Sequence, residues 1–122
     1  LDIIVDSAGT AGYHVGNPPD PRSIEIAKRY GIDISKQRAR QFNRLDFKKF
    51  DIIYAMDKNN YAHLISLAET AIEREKIQLI LNEKHPSSFN SVPDPYYGGE
   101  NGFQIVYDML NEACEEIISK IE

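Results

Sequence analysis

Apolar positions along the chain fall into short β-branched runs separated by stretches of longer period. Leu1-Asp2-Ile3-Ile4-Val5-Asp6 is such a run and predicts a buried strand. Asp51-Ile52-Ile53-Tyr54-Ala55-Met56 and Ile77-Gln78-Leu79-Ile80-Leu81 repeat the pattern and predict two more strands. Between the runs the period is helical. Asp20-Pro21-Arg22 reads as a helix start, with Asp20 as N-cap and Pro21 at the first helical position. Ile24, Ile26, Ala27 and Tyr30 then supply an apolar face, and Gly31 stops the helix. Leu45, Phe47 and Phe50 mark a short helix or turn. Asp57 is an N-cap for a helix carrying Tyr61, Leu64, Ile65 and Leu67. Phe103, Ile105, Val106, Met109, Leu110, Ala113, Ile117 and Ile118 trace one face of a long C-terminal helix.

Strands alternating with helices predict an α/β architecture with a mostly parallel sheet. With 122 residues, the length suits one domain over residues 1–122. In such sheets ligands bind at the carboxyl ends of the strands. The loop after Asp6, the turn at Met56-Asp57 and the loop from Asn82 to Gly99 lie at those ends, and are expected to converge on one site.

Composition narrows the partners. Fourteen Lys and Arg against nineteen Asp and Glu give a net charge of −5, which argues against a general nucleic-acid binder. No apolar run approaches a membrane span, and no secretory-signal pattern is found, so a cytoplasmic protein without membrane attachment is expected. The single cysteine, Cys114, excludes an intramolecular disulfide framework and a multi-cysteine zinc site. Glu115 and Glu116 beside it would raise its thiol pKa, so it reads as a core or boundary residue and not a nucleophile. His63 and His85 have no partners at metal-ligand spacing and read as surface residues.

Asp94-Pro95-Tyr96-Tyr97-Gly98-Gly99 is the most informative stretch. Taken alone it is a Pro-Gly surface turn. Its functional reading is a loop presenting a carboxylic acid beside an aromatic wall, because a carboxyl group next to apolar rings can stay protonated and act as a general acid. Tyr96 and Tyr97 could then form the sides of a slot for a flat ring. Asp57 is either only a helix cap or a carboxylate that fixes a cationic side chain at the strand end. Tyr13 and His14 are ordinary surface residues or, in their Gly-rich setting, part of a binding rim.

Together these motifs resemble the low-molecular-weight protein tyrosine phosphatase family. The matching stretches are Asp6-Ser7-Ala8-Gly9-Thr10, Gly16-Asn17-Pro18-Pro19-Asp20-Pro21-Arg22, Arg38-Ala39-Arg40-Gln41, Met56-Asp57 and the Asp94–Gly99 loop. The resemblance implies a four-stranded parallel sheet flanked by helices, and phosphomonoester hydrolysis through a phosphocysteine. It implies a phosphotyrosine protein or peptide as substrate, and neither a metal nor an organic cofactor. It makes Asp94 the general acid and Tyr96 and Tyr97 the rim aromatics, and it puts Tyr13 and His14 in the variable substrate-contacting loop. Asp57 becomes the carboxylate that orients the phosphate-loop arginine, and Ser7 a hydroxyl that hydrogen-bonds the phosphate loop. Gln37 stands where that network usually has a histidine. The acidic surface and exposed tyrosines permit a homodimer.

The family's Cys-x5-Arg nucleophile loop has no counterpart here: Cys114 is followed at the sixth position by Lys120. The resemblance therefore implies an N-terminally incomplete domain that lacks a central strand, that loop and the first helix. Without a neighbour, the strand at residues 1–6 would leave backbone groups unpaired. Three alternatives follow: an inactive remnant that binds a partner or phosphopeptide, an arsenate reductase, and a phosphoarginine phosphatase of the same fold. Arsenate reduction would need further cysteines, and the Tyr96-Tyr97 pair favours aryl phosphate.

Overall fold

A computed structural model describes residues 3–12, 14–84, 91–95 and 101–121. The element order is α1 (Pro21–Arg29), α2 (Asp46–Lys49), β1 (Ile53–Ala55), α3 (Lys58–Leu67), α4 (Ala71–Glu75), β2 (Ile77–Leu79), a 3₁₀ turn (Ile80–Glu83) and α5 (Gly102–Ile121). Among the described residues the sheet has two strands, with β1 and β2 parallel and Ile53, Tyr54 and Ala55 opposite Ile77, Gln78 and Leu79.

Local chemistry accounts for the helix ends. The Asp20 side chain accepts from the Arg22 N–H at the start of α1, and Pro21 occupies a first-turn position where its missing N–H costs nothing. The chain leaves α1 through Gly31 at φ +79°, a left-handed conformation that glycine adopts without penalty. Thr70 caps α4 through the Glu73 N–H.

Two apolar clusters sandwich the sheet. On one face Phe47, Ala55, Leu64, Ile77 and Leu79 are buried, with Phe42, Tyr61 and Ile65 packed against them. On the other, Ile80, Leu81 and Ala113 are buried beneath Tyr54, Val92, Met109, Leu110 and Ile117. α2 and α3 thus cover one side and α5 the other, and α1 packs on α5, where Tyr30 stacks on Tyr107 at 4.2 Å between centroids.

Three expectations need correction. The predicted strand at the start of the chain does not form in its described part: residues 3–6 have no regular structure, and Ile4 and Val5 are 80% and 86% exposed. No described strand lies alongside them, so ladder hydrogen bonds and apolar cover are both lacking, and an unsupported strand stays solvated. Ile80 and Leu81 leave the predicted strand for the 3₁₀ turn, which lets both side chains bury against α5. On α5 the expected apolar face is narrower, because Ile105 and Ile118 are exposed.

Among the described residues one charge, that of Asp46, is buried with the core. Asp46 has a side chain 7% exposed and accepts from Arg40 Nη1 and the Asn43 N–H, each at 3.0 Å. Burial works to raise its pKa, but the hydrogen bonds from Arg40 and Asn43 and the charges of Arg40 and Lys49 outweigh it, so the carboxyl sits below its ordinary value of 3.8. As pH falls, the unfolded chain takes up this proton before the folded one does, so Asp46 contributes stability above about pH 4 that drains away below it. Urea titrations between pH 6 and pH 3 should show this acid loss, and Asp46→Asn should be less stable at pH 6 by about 2 kcal/mol with a shallower slope. Phe47→Ala should cost about 3–5 kcal/mol at any pH in this range.

Candidate active site

Parallel strands carry their C-terminal ends on one side, and the segments that leave them meet there. The chain turns out of β1 at Met56, and Asp57 caps α3 by accepting from the Asn60 N–H at 2.7 Å. Val92 N–H donates to the Met56 carbonyl at 2.7 Å, and Lys58 N–H donates to Ser91 Oγ at 2.9 Å. These two bonds bring residues 91–95, and with them the exposed Asp94, beside the end of β1. The start of α5 closes on the same segment: a Cβ at Gly102 would lie 2.2 Å from the Pro95 carbonyl oxygen, so only glycine permits this approach.

The first loop arrives from the other side. Asn60 Nδ2 donates to Thr10 Oγ1 at 3.3 Å and Gln41 Nε2 to the Thr10 carbonyl at 3.3 Å. Backbone bonds fasten both ends of the loop to residues 39–42. Gly9 N–H donates to Arg40 O and Phe42 N–H to Gly9 O, in a parallel bridge at 2.9 and 2.8 Å. Gly16 N–H donates to Ala39 O and Ala39 N–H to Asn17 O, both at 2.8 Å. Gly16 sits at φ +87°, and Asn17 N–H donates back to the His14 carbonyl.

Most expected site residues can be located. Ser7 and Gln37 line one crevice of about 160 Å³, together with Asn17, Arg38 and Ala39. Asp57 and the 91–95 segment flank the β1 exit, and exposed His14 lies on the first loop. A larger hollow of about 380 Å³ between Lys28 and Ser35, at the end of α1, holds none of the expected residues. Tyr13, Tyr96, Tyr97 and His85 lie outside the described residues. His63 is exposed on α3. No group of three metal-ligating side chains occurs among the described residues, and no helix there is long and apolar enough to cross a membrane.

Cys114 is exposed on α5, yet partial burial of its sulfur pushes the thiol pKa up, away from a nucleophile's range. Tyr54 lies beneath it. Burial, and then donation to Glu83 at 2.9 Å, push its pKa well above the usual phenol value. Glu83 also accepts from Lys120 at 2.6 Å, which fastens the end of α5. An exposed carboxyl such as that of Asp94 can exchange protons with a bound molecule; among the described residues no activated thiol accompanies it.

Sequence reasoning did not single out Thr10, Asn60, Ser91 or Asp46. Asn60 stands three residues after the cap Asp57, and Asp46 is the lone acid between Lys36 and Lys49 among six cations; both were available signals. Thr10 and Ser91 have none. Because Asp57 is demonstrably a cap, Asp57→Ala should destabilise by about 1 kcal/mol while Asp57→Asn costs only a few tenths. Thermal melts of the two variants check this.

A family model described as low molecular weight phosphotyrosine protein phosphatase matches residues 1–122. The low molecular weight phosphotyrosine protein phosphatase of Schizosaccharomyces pombe is 39% identical over 117 residues, 96% of this chain and 74% of that protein. A crystal structure of a protein tyrosine phosphatase from Entamoeba histolytica, with Hepes in its active site, superposes with a TM-score of 0.87 at 40% identity. It covers 97% of this chain and 74% of that one. The structure of a Drosophila arginine phosphatase has a TM-score of 0.87 at 31% identity, covering 99% and 78%.

Proposed function

The chain belongs to the low molecular weight phosphotyrosine protein phosphatase family, and from that premise we propose that it carries the general acid and substrate rim of an enzyme hydrolysing phosphotyrosine in proteins and small aryl phosphates. The observation that supports this most is the meeting of three segments at one sheet end, through Val92 to Met56 and Asn60 to Thr10. That is where an α/β sheet takes its ligand.

In this reading a cysteine thiolate from a Cys-x5-Arg loop attacks phosphorus while Asp94 gives its proton to the departing phenolate oxygen. The Asp94 carboxylate then takes a proton from the water that attacks the phosphocysteine, releasing phosphate and the thiolate. The loop's N–H groups and arginine hold the phosphate oxygens. Asp57 orients that arginine while capping α3, and Ser7 and Gln37 hydrogen-bond the loop from their shared crevice. Tyr96 and Tyr97 flank the aryl ring, and Tyr13 and His14 meet the rest of the substrate. The 122 residues contain no Cys-x5-Arg sequence. A strand bearing that loop, lying between residues 3–5 and β1, would complete a four-stranded sheet in one α/β domain and cover the exposed Ile4 and Val5.

A second reading is favoured by one finding, the 31% identity to an arginine phosphatase. Phosphoarginine hydrolysis would use the same acid, with Asp94 protonating the guanidine nitrogen. The Tyr96-Tyr97 pair favours an aryl group, so phosphotyrosine peptides should turn over faster than phosphoarginine peptides.

In the full natural protein, Asp94→Ala should slow hydrolysis of phenyl phosphate by about 10²–10⁴-fold. The loss should shrink for a leaving group that departs unprotonated. An unchanged rate on phenyl phosphate would remove Asp94 from the mechanism. Tyr96→Ala should raise KM for phosphotyrosine peptides, and an unaltered KM would exclude the rim role.

A further inference from the structure

The buried Asp46 is the inner end of a hydrogen-bonded path that runs outward to Ser7. Asp46 Oδ2 accepts from Arg40 Nη1 at 3.0 Å. Arg40 Nε donates to Asp6 Oδ2 at 3.1 Å, across 34 residues of sequence. The other oxygen of Asp6, Oδ1, accepts the Ser7 N–H at 2.8 Å. Exposure rises along the path: the side chains of Asp46, Arg40 and Asp6 are 7%, 33% and 44% exposed.

The two arms of Arg40 do different things. The inner arm neutralises a buried carboxylate, which the core needs. The outer arm is an exposed ion pair, which by itself contributes about 0–1 kcal/mol. Yet it engages one oxygen of Asp6 while the other holds the backbone of Ser7, so the Asp6 carboxylate is fixed at both atoms. The parallel bridge between Gly9 and Gln41 holds the same strip of chain two residues further on. Stability does not require this outer arm; a defined position for Ser7 does.

We infer that Arg40, anchored by Asp46 and acting through Asp6, is a positioning residue that sets the place of Ser7 and so the aim of its hydroxyl at the phosphate loop. This rests on the reading of Ser7 given above. Arg40 is suited to the task because its planar fork presents separate nitrogens to two carboxylates. A lysine has one nitrogen and serves one of them; beside the buried Asp46 it stays with Asp46 and releases Asp6.

Steady-state kinetics of the full natural protein on para-nitrophenyl phosphate test this, at a temperature well below every variant's melting point. Asp6→Ala and Arg40→Lys should each lower kcat by about 10- to 100-fold, the scale on which small misplacements of a site act. KM should stay within about two-fold, since ground-state binding is not what changes. Asp6→Ala should melt with the parent, and its double variant with Arg40→Lys should be no slower than either alone. Ser7→Ala should lower kcat as well, and adding Arg40→Lys to it should cost little more. If Ser7→Ala lowers kcat while Asp6→Ala and Arg40→Lys leave it unchanged, or if their effects multiply in full with that of Ser7→Ala, the inference is overturned and the role of Ser7 stands. If Ser7→Ala leaves kcat unchanged, the reading of Ser7 falls and the inference with it.

Discussion

The parallel pairing of Ile53–Ala55 with Ile77–Leu79 is the constraint from which the rest of the arrangement follows. Two parallel strands cannot be joined by a tight turn, so the chain must travel back before the second one starts. α3 and α4 make that return. Their passage buries Leu64 on one face of the sheet and leaves the other face for α5. Both strands then deliver their exits to the same edge. Asp57 and the 91–95 segment are neighbours because of strand direction, and two hydrogen bonds, Val92 N–H to the Met56 carbonyl and Lys58 N–H to Ser91 Oγ, only fix the distance.

A pair this short buries few residues, and side chains reaching across sequence supply much of the remaining order. Arg44 donates to Glu73 and to the Leu67 carbonyl, tying the residues before α2 to both helices of the return where α3 gives way to α4. Lys76 reaches the Phe47 carbonyl at 2.5 Å. Arg40 does the same for the first loop. In each case a long cationic side chain sends its head to a carboxylate or a carbonyl, and Arg44 also lies over the Phe47 ring. Within the basic stretch from Lys36 to Lys49, Arg40 and Arg44 thus serve as internal ties.

What was legible in the sequence was whatever short-range chemistry decides. Asp20-Pro21 and Asp57 announce helix starts, because a cap acts within three residues of itself. Thr70-Ala71-Ile72-Glu73 has the spacing of a capping box and announces α4 just as plainly, although no apolar period drew attention to it. Residues 3–5 mislead for the opposite reason. Their β-branched composition records a preference for a pleated, half-buried surface, and that preference is met only where a neighbour exists. Ile80 and Leu81 are apolar and buried as expected, but composition cannot tell a strand from a 3₁₀ turn that presents the same side chains to α5. Of the site, Asp57 and the stretch holding Asp94 were visible as motifs. Thr10 and Arg40 stood inside matching stretches, but their contacts, like those of Ser91 and Asp46, were not legible, because the partners lie between 6 and 50 residues away.

The close approach of Gly102 to the Pro95 carbonyl has a consequence for how such a protein can diversify. Pro95 and Gly102 are both set by the scaffold, one by the Val92–Met56 bond nearby and the other by the body of α5. With both positions set, a connection between them can lengthen at an entropic cost of only about 0.6 kcal/mol for each doubling. A lineage could therefore rewrite the sequence between residues 95 and 102 while the backbone on either side keeps its place, provided that position 102 stays glycine.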